Sequence, residues 1–253
     1  MRIGTYNVLG LTGFPPEAAL ARLGAFEQKV AHFAGVFASL DLDVIALQEG
    51  PALEVIRGIA DQLGCHLGVF PSPAHWPGYV LSRHSLRESR TFSHPGPGGE
   101  GPFSRCFGAA RIDVRGQDLW VVDLHLHPNL RPLRAREAEE LAGRLTELGA
   151  DGVPTLVLGD FNSRPGEPAH AMLAARGFVN AMERVGGGVQ PTVDTAGVHP
   201  APIDHVYASP ALAGALRSAR VVREPGFRVD DPAPEGNWVH SDHLPVVVEL
   251  AWP

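Results

Sequence analysis

The sequence has few cysteines, and nothing in their spacing suggests that they organise the fold. Its 253 residues contain only two, Cys65 and Cys106. Two thiols cannot build the framework of several disulfides that holds small secreted domains together, and these two lack the paired spacing of a thiolate metal site. We therefore interpret both as buried apolar thiols.

Long apolar runs are absent as well. No segment approaches the roughly 20 consecutive apolar residues that cross a bilayer. The chain starts directly with MRIGTYNVLG, without an apolar segment behind a basic start. These features favour a cytoplasmic location as an expectation, although a signal peptide removed beforehand would leave the same pattern.

Positive charge is scarce too. Lys29 is the only lysine, and 28 acidic residues against 21 lysines and arginines give a formal net charge of −7. This balance disfavours a broad attraction to nucleic acid or to an anionic membrane, although a local basic patch is compatible with it.

Apolar side chains are abundant, at 44% of the sequence, which is enough for a substantial core. Short apolar runs bounded by turn residues predict strands, and segments with helical spacing lie between some of them. The predicted strands are 3–8, 44–47, 78–81, 109–114, 119–126, 155–158, 203–207 and 245–250, and the predicted helices are 18–40, 52–63, 133–148 and 167–176. No linker or internal repeat divides the chain, so we expect a single α/β domain over residues 1–253.

Polar residues stand at the ends of several predicted strands. Asn7 comes late in the first strand, in TYNV, and Glu49 follows the second, in LQE. His125 and His127 lie late in the strand VVDLHLHP, and they share one face because side chains alternate along a strand. Singly, each has an ordinary explanation, such as a surface carboxylate or a hydrogen-bonded core histidine.

Three later motifs repeat this placement. GDFN ends a strand in Asp160 and Asn162, IDHVYAS contains Asp204, and SDHLPV places Asp242 and His243 before the last strand. Asp160 and Asn162 could instead cap the following helix. Charged groups beside buried apolar strands need a partner, a metal or water, and six such patterns in one chain favour a functional site.

Taken in order, TYNV, LQE, LSR, DLHL, GDFN, IDHVYAS and SDHLPV resemble the motifs of the endonuclease/exonuclease/phosphatase superfamily, which includes DNase I, exonuclease III and sphingomyelinases. The match runs nearly from end to end, and GDFN with SDHLPV is its most specific part. The resemblance implies a four-layered α/β/β/α sandwich, in which two mixed sheets pack face to face with helices outside. It also implies a metal-dependent phosphoester hydrolase whose site lies at one end of the sheets.

The resemblance further implies a divalent cofactor, Mg²⁺ or Mn²⁺. Hard cations of this kind prefer oxygen ligands, and Mg²⁺ keeps part of its water shell, so few protein ligands are needed. The expected metal ligands are Glu49, Asn7 and Asp242. Asn7 is also a candidate for substrate binding.

Five residues are expected to be catalytic: His125, Asp160, Asn162, Asp204 and His243. By similarity to the family, Asp160 and Asn162 would activate or orient the attacking water and contact the phosphate. His243 would bind a phosphate oxygen or take a proton, while Asp204 fixes its tautomer. The sequence leaves open whether Asp160 or the pair of Asp204 and His243 is the general base.

Two further predicted substrate contacts each have an alternative interpretation. His125 is the preferred histidine facing the phosphate, where it would donate a hydrogen bond or protonate the leaving group, and His127 is the alternative. Arg83, in LSR, matches another family stretch, and it is either a substrate contact or part of a structural ion pair.

The loops around the site determine which phosphoester the protein accepts. A small phosphodiester or phosphomonoester fits the negative net charge of the chain best. A DNA or RNA nuclease would need more lysine and arginine around the site. The loops expected around the site add further acidic residues instead, namely Glu100, Asp230, Asp231 and Glu235. A sphingomyelinase-like lipid hydrolase is disfavoured by the lack of a leader and of a membrane-inserting hairpin. A catalytically inactive binding module is disfavoured because every motif residue is present.

Overall fold

The computed structural model describes all residues except 21, 22, 24, 74, 94–102, 231–236 and 253. The strands are β1 (Arg2–Asn7), β2 (Val44–Gln48), β3 (His66–Phe70), β4 (Gly78–Ser82), β5 (Leu86–Thr91), β6 (Phe107–Val114), β7 (Gln117–His125), β8 (Thr155–Asp160), β9 (Val179–Asn180), β10 (Asp204–Ala208), β11 (Leu216–Val221) and β12 (Val246–Leu250). The α-helices are α1 (Pro16–Leu20), α2 (Phe26–Leu40), α3 (Leu53–Leu63), α4 (Arg131–Glu147), α5 (Pro168–Ala175), α6 (Ala181–Val185) and α7 (Pro210–Ala213). None of the helices in the described ranges is long and apolar enough to cross a membrane.

The strands form two six-stranded mixed sheets. The first has the order β11-β12-β1-β2-β4-β3, and the second has the order β5-β6-β7-β8-β10-β9. In each sheet one central pair is parallel, β1 with β2 and β7 with β8, and the other pairings are antiparallel. Strands β1, β2 and β4 pack against β7, β8 and β10, so the sheets lie face to face as expected.

Alternation along β7 separates two hydrophobic cores. Val121 belongs to the core that the two sheets share and that extends to α2 and α3. Val122, on the opposite face, packs in a second core with Leu141 and Leu145 of α4. Because every second side chain points the same way, His125 lies on the face of β7 that is turned toward the first sheet.

The predicted secondary structure differs from the observed one in two respects. The helix predicted over 18–40 is divided into α1 and α2, because Ala25 has an extended backbone with φ −95° and ψ 149°. Strands β3, β5, β9 and β11 and the short helices α6 and α7 were not predicted. The central strands that carry the polar motifs were predicted close to their observed bounds.

Strand β8 approaches β7 very closely just before Asp160. Gly159 has φ 138°, and a Cβ atom built on it would lie 1.9 Å from the carbonyl oxygen of Leu124. Only glycine therefore allows this register, which places Asp160 opposite His125.

Replacing this glycine is expected to destabilise the fold. Gly159→Ala should lower the free energy of unfolding by at least about 2 kcal/mol, since a side chain there is both strained and in collision with backbone. Gly143→Ala in α4 is the control, because a Cβ atom there meets nothing within 4 Å. That variant should be stabilised by about 0.5–1 kcal/mol. Equal stability of the two variants in urea unfolding would contradict this account.

Candidate active site

The topology collects the polar motif residues at one end of both sheets. Asn7 ends β1 and Glu49 follows β2, and these strands are parallel. His125 and Asp160 end the other parallel pair, β7 and β8. Asp204 begins β10, which runs antiparallel to β8, and it pairs directly with Asp160. Residues far apart in the sequence therefore meet at one edge.

Two residues of this edge have a left-handed backbone. Glu49 has φ 49° and Asn162 has φ 47°. Gln48 points into the space between the sheets, where its Nε2 donates a hydrogen bond of 2.6 Å to Asp123. Because side chains alternate along a regular strand, the side chain of Glu49 would then point away from this space. The left-handed turn at Glu49 instead lets its carboxylate reach Asn7, 3.2 Å away. Strained conformations of this kind often mark functional sites.

Asn7 holds two carboxylates together. Its Nδ2 donates to Glu49 Oε1 at 3.2 Å and to Asp160 Oδ2 at 3.0 Å, so both amide hydrogens are used. Its Oδ1 accepts the backbone N–H of Leu9 at 3.2 Å. All three bonds select the same orientation of the amide. In this orientation Asn7 presents nitrogen to the two carboxylates, and its expected role as a metal ligand stays a prediction.

His125 lies beside the same two carboxylates. Its Nε2 is 3.5 Å from Asp160 Oδ2 and 3.9 Å from Glu49 Oε1, and its Nδ1 is buried without a hydrogen-bond partner among the described residues. Burial lowers the pKa of His125 to about 4, although the charge of Asp160 acts in the opposite direction. The imidazole is therefore neutral near pH 7.

His243 has the opposite protonation state. Its Nδ1 lies 2.9 Å from Asp204 Oδ2, which also accepts a hydrogen bond of 2.6 Å from Thr192 Oγ1. Burial alone would lower the pKa of His243, but the contact with Asp204 outweighs it and raises the pKa to about 10. Its Nε2 points to the carboxylate pair, 3.8 Å from Asp160 Oδ2. A protonated imidazole thus faces the carboxylate of Asp160.

The side chains present fit a divalent cation. Ligand atoms of Glu49, His125 and Asp160 all lie within 4.8 Å of one another, and the same holds for Asp160, Asp204 and His243. Burial raises the pKa of both Glu49 and Asp160, which means that their negative charges lack full compensation. Asp204 Oδ1 is also buried without a hydrogen-bond partner in the described part of the chain. Carboxylate oxygens and an imidazole nitrogen are donors that bind divalent cations in proteins.

Asp242 is at this end of the sheets but outside both ligand groups. Its Oδ1 lies 3.4 Å from Ser241 Oγ, and its charge contributes to raising the pKa values of Glu49 and His243. The acidic and histidine side chains that lie close enough to share a cation are Glu49, His125 and Asp160, and Asp160, Asp204 and His243. The ligand roles expected for Asn7 and Asp242 stay predictions.

Arg83 lies elsewhere. It follows β4, which is antiparallel to β2, so it is at the end of the sheet opposite to Glu49. Its guanidinium pairs with Asp41 at 3.1 Å and with Asp43 at 3.8 Å. This position corrects the expectation of a substrate contact and supports the structural ion pair.

His127 is also separated from the ligand groups. Strand β7 ends at His125, so His127 no longer follows the alternation of the strand. Its Nδ1 accepts the backbone N–H groups of Asn129 at 3.2 Å and Leu130 at 3.1 Å, which commits this nitrogen to the turn before α4. Of the two histidines, His125 is the one that faces the carboxylates.

Two further residues, Ser241 and Thr192, support the site and were not predicted from the sequence. Ser241 Oγ donates to the carbonyl of Asn7 at 2.7 Å and accepts the N–H of His243 at 3.2 Å, which ties the last motif to the first strand. Its position inside SDHLPV could have suggested this role. Thr192, the partner of Asp204, lies in a loop without any periodic signal.

The comparisons with known proteins agree with this fold. The chain matches the model of the Endonuclease/Exonuclease/phosphatase family over residues 4–243, and it belongs to this family. Similar solved structures include a mannosyl-6-phosphatase of Bacteroides thetaiotaomicron VPI-5482, with 18% identity, 100% coverage of both chains and a TM-score of 0.75. A 3′ phosphatase from Neisseria bound to a product DNA hairpin has 19% identity, 100% coverage of both chains and a TM-score of 0.70. An AP endonuclease from Archaeoglobus fulgidus has 16% identity, the same coverage and a TM-score of 0.71. No curated protein matches the chain.

The pairing of His243 with Asp204 should be visible in the pH dependence of stability. A histidine whose pKa rises from 6.5 to about 10 on folding contributes stability that is complete below pH 6.5 and is lost as the pH rises through about 10. Asp204→Asn removes the main cause of this shift. In metal-free buffer, its free energy of unfolding should therefore fall less steeply than that of the wild type across this range.

Urea unfolding at a series of pH values measures this difference. Asp41→Asn is the control, since Asp41 is exposed and pairs with Arg83 at the other end of the sheet. The free energy of unfolding of Asp41→Asn should change with pH as steeply as that of the wild type between pH 6.5 and 10. A parallel curve for Asp204→Asn would contradict the assigned pairing.

Proposed function

We propose that this chain is a divalent-metal-dependent phosphoester hydrolase that acts on a small phosphodiester or phosphomonoester. One observation carries the proposal: the carboxylates of Glu49 and Asp160 and the imidazoles of His125 and His243 share one edge of the sheets. A phosphoester is anionic and resists attack by water, so its hydrolysis needs positive charge, an aligned water and a proton acceptor. This edge offers side chains for each requirement.

Glu49, His125 and Asp160 would hold the cation, which would supply positive charge to the phosphate oxygens and polarise the phosphorus. The low pKa of His125, about 4, leaves its ring nitrogen available as a neutral ligand or hydrogen-bond partner. The same value argues against His125 as the source of a proton for the leaving oxygen.

Asp160 is our candidate for the general base. Burial raises the pKa of the free carboxylate, and if one oxygen held the cation, the other oxygen would remain to accept a proton from water. Asn7 bonds its Oδ2 at 3.0 Å and the N–H of Asn162 bonds its Oδ1 at 2.8 Å, so its orientation is fixed. The alternative base, His243, is already protonated at neutral pH.

His243 is our candidate for the group that binds a phosphate oxygen. Asp204 holds its Nδ1 and keeps it charged, so its Nε2–H is a charge-assisted donor aimed at the site. This N–H can also give its proton to the leaving oxygen. Asn162 supports the arrangement through its Nδ2, which donates to the carbonyl of Leu126 at 2.9 Å and keeps a second hydrogen for substrate.

The charge distribution supports a small substrate. Similar structures include an enzyme named for a sugar phosphate and one bound to DNA, so the fold alone does not identify the class of substrate. A duplex is held mainly through its phosphates, but Lys29 is the only lysine and arginines such as Arg228 are paired with carboxylates, here Asp194 and Asp230. Of the acidic residues expected around the site, Glu100, Asp231 and Glu235 lie outside the described residues.

Activity on simple phosphoesters tests the proposal. The protein should hydrolyse p-nitrophenyl phosphate or bis-p-nitrophenyl phosphate with Mg²⁺ or Mn²⁺, and EDTA should abolish the activity. Asp160→Ala and His243→Ala should each lower kcat by at least roughly a hundredfold, as expected for loss of a positioned proton-transfer group. Arg83→Ala is the control and should retain wild-type activity.

Two outcomes would contradict the proposal. Full activity in EDTA would exclude the metal-dependent reaction, and near-normal activity of both alanine variants would remove the assigned roles. A double-stranded oligonucleotide assayed in parallel should be a poorer substrate than the small esters, and a strong preference for it would favour the nuclease alternative.

A further inference from the structure

A chain of buried polar side chains lies behind the GDFN segment (residues 159–162), on the side away from the first sheet. Ser163, His170 and Tyr207 are 3%, 4% and 4% exposed. His170 Nδ1 lies 2.8 Å from the hydroxyl of Tyr207, and its Nε2 lies 3.0 Å from Ser163 Oγ. Such groups are costly to bury unless each is hydrogen-bonded.

The direction of these bonds follows from their donors. Ser163 Oγ donates its single hydrogen to the carbonyl of Phe161 at 3.0 Å, so it must accept from His170 Nε2–H. The other nitrogen, Nδ1, then accepts the O–H of Tyr207. Burial, aided by the nearby His205, lowers the pKa of His170 to about 3, in agreement with a neutral ring. The chain runs from Tyr207 through His170 and Ser163 to the Phe161 carbonyl.

A second chain ends on the same segment. Asn180 Nδ2 lies 3.3 Å from His205 Nδ1, and His205 Nε2 lies 3.1 Å from the carbonyl of Ser163. Asn180 Oδ1 accepts the N–H of Met182 at 2.9 Å, so its nitrogen is the end that faces His205. Both chains therefore hold backbone carbonyls on either side of Asn162.

Asn162 is the residue that needs such support. Its φ of 47° is a left-handed conformation that residues other than glycine seldom adopt. This conformation directs its N–H to Asp160 Oδ1 at 2.8 Å and its Nδ2 to the Leu126 carbonyl at 2.9 Å. A change in the peptide between Phe161 and Asn162 would move the N–H that orients Asp160.

We propose that His170 is a positioning residue for the reaction: with Tyr207 and Ser163 it fixes the peptide before Asn162, and thereby the orientation of Asp160. This inference rests on the proposed function. His170 contacts none of the groups that would hold the cation. Its ring stacks on Phe161 at 5.1 Å between centroids, and its two hydrogen bonds are the contacts through which we expect it to fix the peptide.

A cavity makes this role accessible to experiment. It has a volume of about 440 Å³, and its lining includes His170, Tyr207, Asn180, Pro165 and Gly166. Removing the His170 side chain would leave a void that joins this cavity. Added imidazole can enter such a void and restore both hydrogen bonds, because it has one donor and one acceptor nitrogen.

The test compares His170→Ala with the wild type on p-nitrophenyl phosphate and bis-p-nitrophenyl phosphate with Mn²⁺. We expect kcat to fall by roughly 10- to 100-fold with little change in KM, as for a catalytic group displaced by a distant change. Imidazole should restore much of the loss. N-methylimidazole, which cannot donate and accept at once, should not. Tyr207→Phe is a second variant that removes only the hydroxyl, and it should lower kcat in the same direction.

The outcomes separate the two proposals. A wild type without metal-dependent activity on phosphoesters contradicts the proposed function and, with it, this inference. An active wild type with unchanged kcat in Tyr207→Phe or His170→Ala contradicts only the positioning role. Equal recovery of kcat with imidazole and N-methylimidazole would also contradict the positioning role, because a side chain that only fills space needs no hydrogen-bond donor. Recovery with neither compound in a folded His170→Ala variant would contradict it as well.

Discussion

The hydrogen bonds of Asn7 to one buried and one partly buried carboxylate connect the two sheets at the point where the chemistry is expected. One acid, Glu49, follows a strand of the first sheet, and the other, Asp160, ends a strand of the second. Bringing two such groups out of water is costly, and burial raises the pKa of both. The arrangement therefore depends on the face-to-face packing of the sheets. The negative charges of the two carboxylates are not fully compensated, and a bound divalent cation would compensate them.

The two histidines at this edge differ because their neighbours differ. His125 is buried and its Nδ1 has no hydrogen-bond partner among the described residues, so burial keeps it neutral. His243 is equally enclosed, but Asp204 compensates its charge and Thr192 holds that carboxylate in place. One imidazole can thus serve as a neutral ligand while the other carries a proton, which is the division of roles that acid and base steps at one pH require.

The sequence was sufficient for the fold class, the family and most of the central strands, because apolar alternation and short motifs are local signals. It also placed the acids at strand ends, where parallel pairing brings them together. It could not show the amide orientation of Asn7, which depends on Leu9, or the position of Arg83, which depends on strand direction. Contacts between distant loops and strands, such as Thr192 with Asp204, have no local pattern and required the tertiary structure.

The most direct test of the central claim is anomalous diffraction from crystals of the protein grown or soaked with Mn²⁺. The account predicts an anomalous peak within about 2.0–2.3 Å of carboxylate oxygens of Glu49 and Asp160, as expected for a small hard divalent cation. The peak should disappear in crystals of Glu49→Gln. A well-ordered crystal with no peak beside these two carboxylates, or with its strongest peak away from this edge of the sheets, would contradict it.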